Sequence, residues 1–460
     1  MKMKRIASML MAGIMTLSLA ACGGTGADTG SGTGTGTSTG TTTTGTTETG
    51  TTETGTTETG TTETGTADGE QITLKMWCIA TESDSNRHSY EEAIKEMETK
   101  HPEVKLEWEA FENQSYKTKI KAAVAADEMP DIFFTWSCAF LGDFVEAGKV
   151  YCLDDVYANY KDELPEVMMG NSTYDGKHYG VPLTMNIVGL FANMDLLKEA
   201  GYDEIPGSYE DFIACCDALK GKGIIPFGCA GKETWCVTEY LESVIEKSAG
   251  ADTLNDIFLG RASWNNQDVA DAVDTFQELV KNEYFDPAGI GLTNDEVKAN
   301  FMQGKYAFYM NGTWNCADFA ADAEFSKKVK VGEFPVINAD KSKLGQLIGG
   351  PSDTLAVAAS SPNAAKAADY CMELGKYICH YGYLDGCGLP AWTPYGDTST
   401  VNELTQTVAQ IVAGADTMVL FGDTAQNADD ANTYLSYVDQ VYGSQIDGKG
   451  FIAGLAADIR

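Results

Sequence analysis

Between Gln71 and Trp136 five short segments alternate between two hydrophobic periods. "QITLKMWCIA" (Gln71–Ala80) alternates and is rich in β-formers. "SYEEAIKEMETKHP" (Ser89–Pro102) sets Ala93, Ile94 and Met97 among acids and lysines and stops at a proline, the pattern of an amphipathic helix. "EVKLEWEAF" (Glu103–Phe111) alternates Val104, Leu106 and Trp108; "SYKTKIKAAVAADEMP" is again helical, and "DIFFTW" (Asp131–Trp136) is a short apolar strand. A helix between successive strands brings the chain back to start each strand at the same end. The order therefore predicts βαβ units, a largely parallel sheet and helices on both of its faces. Later segments are more helical: "NMDLLKEAGY", "SYEDFIACCDALKGKG", "NNQDVADAVDTFQELVKNEYF" and "NAAKAADYCMELGKYICHYG" all end at Gly or aromatic-Gly signals. About 390 residues follow position 69, enough for two lobes with cores of their own.

The first 69 residues are of another kind. Residues 1–21 run from a basic start (Lys2, Lys4, Arg5) through an apolar stretch to small residues, the layout of a secretory signal peptide and too short for a comfortable membrane span. Leu19-Ala20-Ala21-Cys22 resembles the lipobox of bacterial lipoproteins, which implies that the Cys22 thiol receives a diacylglyceryl group and becomes the new N-terminus. Two acyl chains suffice for anchoring, at about 0.8 kcal/mol per buried CH₂. Residues 22–69 form a Thr/Gly-rich linker in which "GTTET" recurs in four copies from Gly45 to Thr64. No side chain there is large and apolar enough to offset the entropy of ordering, so the segment reads as a disordered tether.

The formal net charge is −35, and loss of the three basic residues of the signal leaves −38. Phosphates would be repelled, which argues against nucleic acid and direct adhesion to anionic lipid and leaves a neutral ligand open. Of twelve cysteines, eleven lie beyond Cys22, an odd number that cannot all pair internally. No C-x-x-C occurs, and Cys371, Cys379 and Cys387, spaced by eight, read as small buried apolar residues. His88, His101, His178 and His380 are scattered with no H-E-x-x-H, so neither a metal nor a cofactor is expected.

Four stretches taken in order resemble the extracellular solute-binding proteins of ABC transporters, specifically family 1, the carbohydrate-binding branch typified by maltose-binding protein. They are "HPEVKLEWEAFENQSYKTKIKAAVAADEMPDIFFTW", "HYGVPLTMNIVGLFANMDLLKEAGYDEIPGSYEDF", "FMQGKYAFYMNGTWNCADF" and "GGPSDTLAVAASSPNAAKAADYCMEL". The resemblance implies a two-lobe periplasmic-binding-protein-like α/β fold over residues 70–460, with hinge crossings and a ligand cleft between the lobes. Lobe 1 is expected at about 70–181 and 336–384, lobe 2 at about 182–335 and 385–460. It further implies a non-enzymatic, monomeric receptor on the extracellular face of the membrane that delivers a mono- or oligosaccharide to permease subunits.

A sugar offers an apolar C–H face and a rim of hydroxyls, so its site needs aromatic platforms with carboxylates and amides beside them. Of seven tryptophans, Trp136, Trp235, Trp314 and Trp392 stand just beyond apolar segments, where open α/β sheets bind ligands. Trp108 reads as core, and Trp77 and Trp264 as structural. Glu82 and Asn113, which follow the first and second strands, and Asp353, which follows "GGP", are polar candidates, and the resemblance adds Asn186 in "PLTMNIVG", where the family's oligosaccharide binders often carry a carboxylate or amide. Two other readings remain: a surface glycoside hydrolase, which would need a pair of carboxyls flanking the scissile bond, and a binder of a non-sugar solute on the same fold.

Overall fold

The computed structural model of the protein describes residues 71–459. The signal peptide, Cys22 and the linker lie outside the described residues. The first sheet has the strand order Val104–Ala110, Ile72–Cys78, Ile132–Trp136, Asp353–Val357, Gly180–Pro182. Its first three strands are parallel, in the register Met76 opposite Trp108 and Ile132. The intervening helices are Arg87–Lys100 and Asn113–Ala126. Glu112 caps the latter by accepting from the Gln114 and Ser115 amides, and Asp127, at φ 60°, ends it in the left-handed region. Leu74, Met76, Phe133, Phe134 and Leu355 form the core of this half with the long helix Ala364–Asp385.

The second sheet runs Thr417–Val419, Gln346–Gly350, Thr184–Asn193, Tyr306–Gly312, Ile225–Gly228. Its central strand Thr184–Asn193 is buried along its whole length, as befits a strand covered on both faces. Beside this sheet lies the helix Thr234–Ala249, in which every residue from Cys236 to Lys247 is buried.

In each sheet the strand that opposes its neighbours is the one that has just arrived from the other sheet. Thr184–Asn193 follows Gly180–Pro182 after Leu183 alone and pairs antiparallel with Gln346–Gly350 and Tyr306–Gly312. Asp353–Val357 follows Gln346–Gly350 after Pro351 and Ser352 and is antiparallel to both its neighbours. A chain that crosses without turning back enters the next sheet from the reverse side, which gives the mixed sheets. The expected boundary near 336 is therefore corrected to 351, because Gln346–Gly350 pairs with Thr184–Asn193 in the second sheet. Ala391 and Trp392, assigned by sequence to the second lobe, pack instead in the core of the first sheet.

All eleven cysteines among the described residues are free, nine of them buried. Cys371, Cys379 and Cys387 are among the nine, and burial pushes the Cys379 thiol up to about 11. No helix among the described residues is long and apolar enough to cross a membrane.

Candidate ligand-binding cleft

The ends of the two sheets border one cleft of about 640 Å³. Six of the residues singled out from sequence line it: Asn113, Trp136, Asn186, Trp235, Trp314 and Asp353. Two do not. Glu82 has a side chain 87 % exposed and pairs with Arg87 at 2.9 Å, so it is a solvated loop acid. Trp392 is buried, its indole N–H donating to the Pro182 carbonyl at 2.8 Å and its ring meeting Tyr160 edge-on. The other tryptophans lie elsewhere: Trp264 is core, while Trp108 and Trp77 are half-buried under Arg87 and Lys119, at 4.6 and 4.0 Å from the ring centres.

Trp136 ends its strand and is wedged edge-on against Phe134 and Phe140, with centroids 5.0 and 5.1 Å away. It is only 7 % exposed, partly because Lys117 Nζ lies 4.8 Å from its ring centre. Trp314 is less covered. It stands on the 3₁₀ turn Thr313–Asn315 after the strand Tyr306–Gly312, flanked by Trp235 at 6.1 Å and Phe421 at 6.4 Å. Gly312 makes room for it: a Cβ there would fall 2.0 Å from the Trp314 ring. Hydrogen bonds fix the turn, with Thr313 donating to Asn186 Oδ1 at 3.0 Å and Asn315 Nδ2 to Asn311 Oδ1 at 2.8 Å. Glu233 holds Trp235 through its indole N–H at 3.1 Å while accepting from the Asn294 amide at 2.8 Å.

Polar groups that sequence reasoning passed over complete the lining. Asp84 shares the lining with Asp353 and disfavours its ionisation, while Asp318 does the same to Asp84. Desolvation first and Asp84 second push Asp353 up to about 7. Desolvation likewise raises Asp84 to about 6, although the Asn86 amides and Lys298 work against it. Ser83 and Ser85 donate to Asp295 and Asp318 at 2.9 Å each, joining the first half to the second. On another side of the cleft Lys117 pairs with Asp423 at 2.9 Å. These contacts describe the two halves drawn together. Among the described residues no group of three or more His, Cys, Asp or Glu is placed to hold a metal ion.

The lining thus offers aromatic faces, amides, hydroxyls and carboxyls, suited to holding a polar organic molecule. Comparison with known proteins agrees on the architecture. A solved structure from work on xylan utilization by the thermophilic bacterium Caldanaerobius polysaccharolyticus is 33 % identical. It superimposes with a TM-score of 0.81 over 85 % of this chain and 100 % of that one. A chitin oligosaccharide binding protein, 22 % identical, shares the fold with a TM-score of 0.77 over 85 % of this chain and 98 % of its own. The multiple sugar-binding protein of Streptococcus mutans is 22 % identical over 329 residues, 70 % of this chain and 75 % of that protein. An uncharacterized ABC transporter extracellular-binding protein of Pyrococcus horikoshii is 23 % identical over 258 residues, 54 % of this chain; the match spans 57 % of that relative's length. A family profile described as bacterial extracellular solute-binding protein matches residues 92–376; it is family 8 of these proteins, where the sequence motifs point to family 1. On that match and on the two-sheet fold, the chain belongs to the bacterial extracellular solute-binding proteins, a family of binders and not of enzymes.

Proposed function

We propose that the chain is the substrate-binding component of an ABC importer. In this reading lipid on Cys22 holds it at the extracellular face of the cell membrane, with residues 22–69 as its tether. As a monomer it closes two lobes on an uncharged mono- or oligosaccharide and passes it to the permease subunits. The observation that carries the reading is the convergence of Trp136 from the first sheet and Trp314 from the second on one cleft, with amides and carboxyls between. A ring stacked on one wall and hydrogen-bonded to the other favours the closed arrangement, which couples capture to closure. The names of similar proteins, among them a multiple sugar-binding protein and a chitin oligosaccharide binding protein, lend support.

The test is a thermal-shift screen of neutral mono- and oligosaccharides beside amino acids, peptides and polyols. A ligand that binds only the folded state stabilises it by about 2.7 kcal/mol at a hundredfold excess over Kd. A melting temperature raised only by non-sugars would overturn the carbohydrate assignment. Detergent partitioning tests the anchor: Cys22→Ser should leave the membrane fraction with binding intact, and retention there would refute acylation at Cys22.

A further inference from the structure

The helix Thr234–Ala249 carries four charged residues into the interior of the second half: Glu239, Glu242, Glu246 and Lys247, none more than 2 % exposed. Three of them have partners. Glu242 accepts from the Tyr434 hydroxyl at 3.0 Å and the Gly422 amide at 3.2 Å. Glu246 accepts from Ser342 at 3.0 Å and faces Lys247, which also donates to the Gln346 carbonyl at 2.6 Å. Glu239 differs: neither carboxyl oxygen has a hydrogen-bond partner among the described residues, and it lines the cleft. It stands one helical turn from Trp235, on the same side of the helix. The nearby Gly312 amide donates to Asn311 Oδ1 at 3.0 Å; it also favours the ionised Glu239 carboxyl, but by less than burial, Glu242 and Asp423 oppose it.

A buried carboxyl without partners costs folding free energy that its neighbours on this helix do not incur. Two other lining groups share the condition, Ser352 Oγ and Asn113 Oδ1. Desolvation, then Glu242 and Asp423, hold the Glu239 carboxyl well above the usual carboxylate range. In that state it offers one O–H donor and one carbonyl acceptor, the same inventory as a primary amide reduced by one donor.

We propose that Glu239 is the specificity-determining residue of the cleft, exchanging a donated and an accepted hydrogen bond with two adjacent hydroxyls of a sugar ring seated at Trp235 and Trp314. The inference rests on the carbohydrate reading above and narrows it to a ligand with a vicinal diol at that ring. Sites built to hydrogen-bond a hydroxyl reject analogues lacking it by as much as about 10⁴-fold, because the buried partner is then left unpaired.

Calorimetry on the full chain, with a neutral sugar that binds the parent, decides the matter. Glu239→Leu should lower affinity at least about a hundredfold while the melting temperature of the free protein holds or rises, since a buried unpaired carboxyl has been removed. Glu239→Gln should stay within about tenfold of the parent. Deoxy analogues supply a second arm: loss of one hydroxyl of the diol should weaken binding to the parent but cause no further loss in Glu239→Leu. Parental affinity in Glu239→Leu, or deoxy losses that are the same in both proteins, overturns the assignment of Glu239 and leaves the carbohydrate reading standing. If no neutral sugar binds the parent, both fall together.

Discussion

Lys117 lies 2.9 Å from the Asp423 carboxylate across the cleft while its ammonium group sits 4.8 Å from the centre of the Trp136 ring. One cation thus joins the two halves and covers an aromatic wall. The side chains of the pair are 19 % and 9 % exposed, so water screens it only in part. Asp423→Asn should weaken ligand binding by about 1–2 kcal/mol, a five- to thirtyfold loss. Titration calorimetry at low and high salt checks this. The parent should lose affinity as salt rises and the variant much less; equal salt dependence in both would remove the pair from closure.

The two aromatic walls should answer differently to truncation. Trp314→Ala is expected to cost about 1–3 kcal/mol of binding, by analogy with stacking on nucleobases. Trp136, packed on Phe134 and Phe140, is also a core residue. Trp136→Ala should lower stability by about 3–5 kcal/mol in addition to any loss of affinity. Denaturant unfolding beside calorimetry separates the two effects, and equal stability losses in both variants would contradict this division.

Gly312→Ala probes the same platform without replacing the tryptophan. The added Cβ would lie 2.0 Å from Trp314, so the indole must leave its place beside Trp235 and Phe421. Affinity should fall as far as in Trp314→Ala, and the tryptophan emission of the free protein should shift. Unchanged affinity would mean that the ligand does not use this face.

Asp353 provides a pH signature. Its folded-state pKa, raised to about 7, exceeds the unfolded value near 4, so the native state holds the proton longer. Its contribution is neutral below about pH 4, becomes destabilising as pH rises through the interval, and levels off above about 7. Asp353→Asn should therefore raise the melting temperature of the ligand-free protein at pH 8 and leave it nearly unchanged at pH 4. A gain of the same size at both values would refute the linkage.

The opening strands and helices were legible because each has one clear period and a stop signal, as at Pro102 after the helix Arg87–Lys100. The return crossing was harder to place. Gln346–Gly350 contains two glycines and no alternation, and nothing local reveals that it pairs with a strand about 160 residues earlier. Trp392 follows an apolar segment as cleft residues do, but the Pro182 carbonyl that takes its indole N–H is fixed only by tertiary packing. Glu239 escaped notice for the opposite reason. Within "TWCVTEYLESVIEKSA" the acids resemble a solvated helix face, and only the burial of that helix on all sides makes one of them exceptional.

Gly349 and Gly350, at φ 141° and 145°, occupy a region that other residues rarely adopt, and a Cβ at Gly349 would fall 2.3 Å from the Asn186 carbonyl. They lie just before Pro351, where the chain leaves one sheet for the other. The crossing thus depends on two residues without side chains, the first of them pressed against the backbone of the neighbouring strand. A substitution here would act through the path of the chain between the halves and not through the walls of the cleft, so the join and the choice of guest are written in different residues.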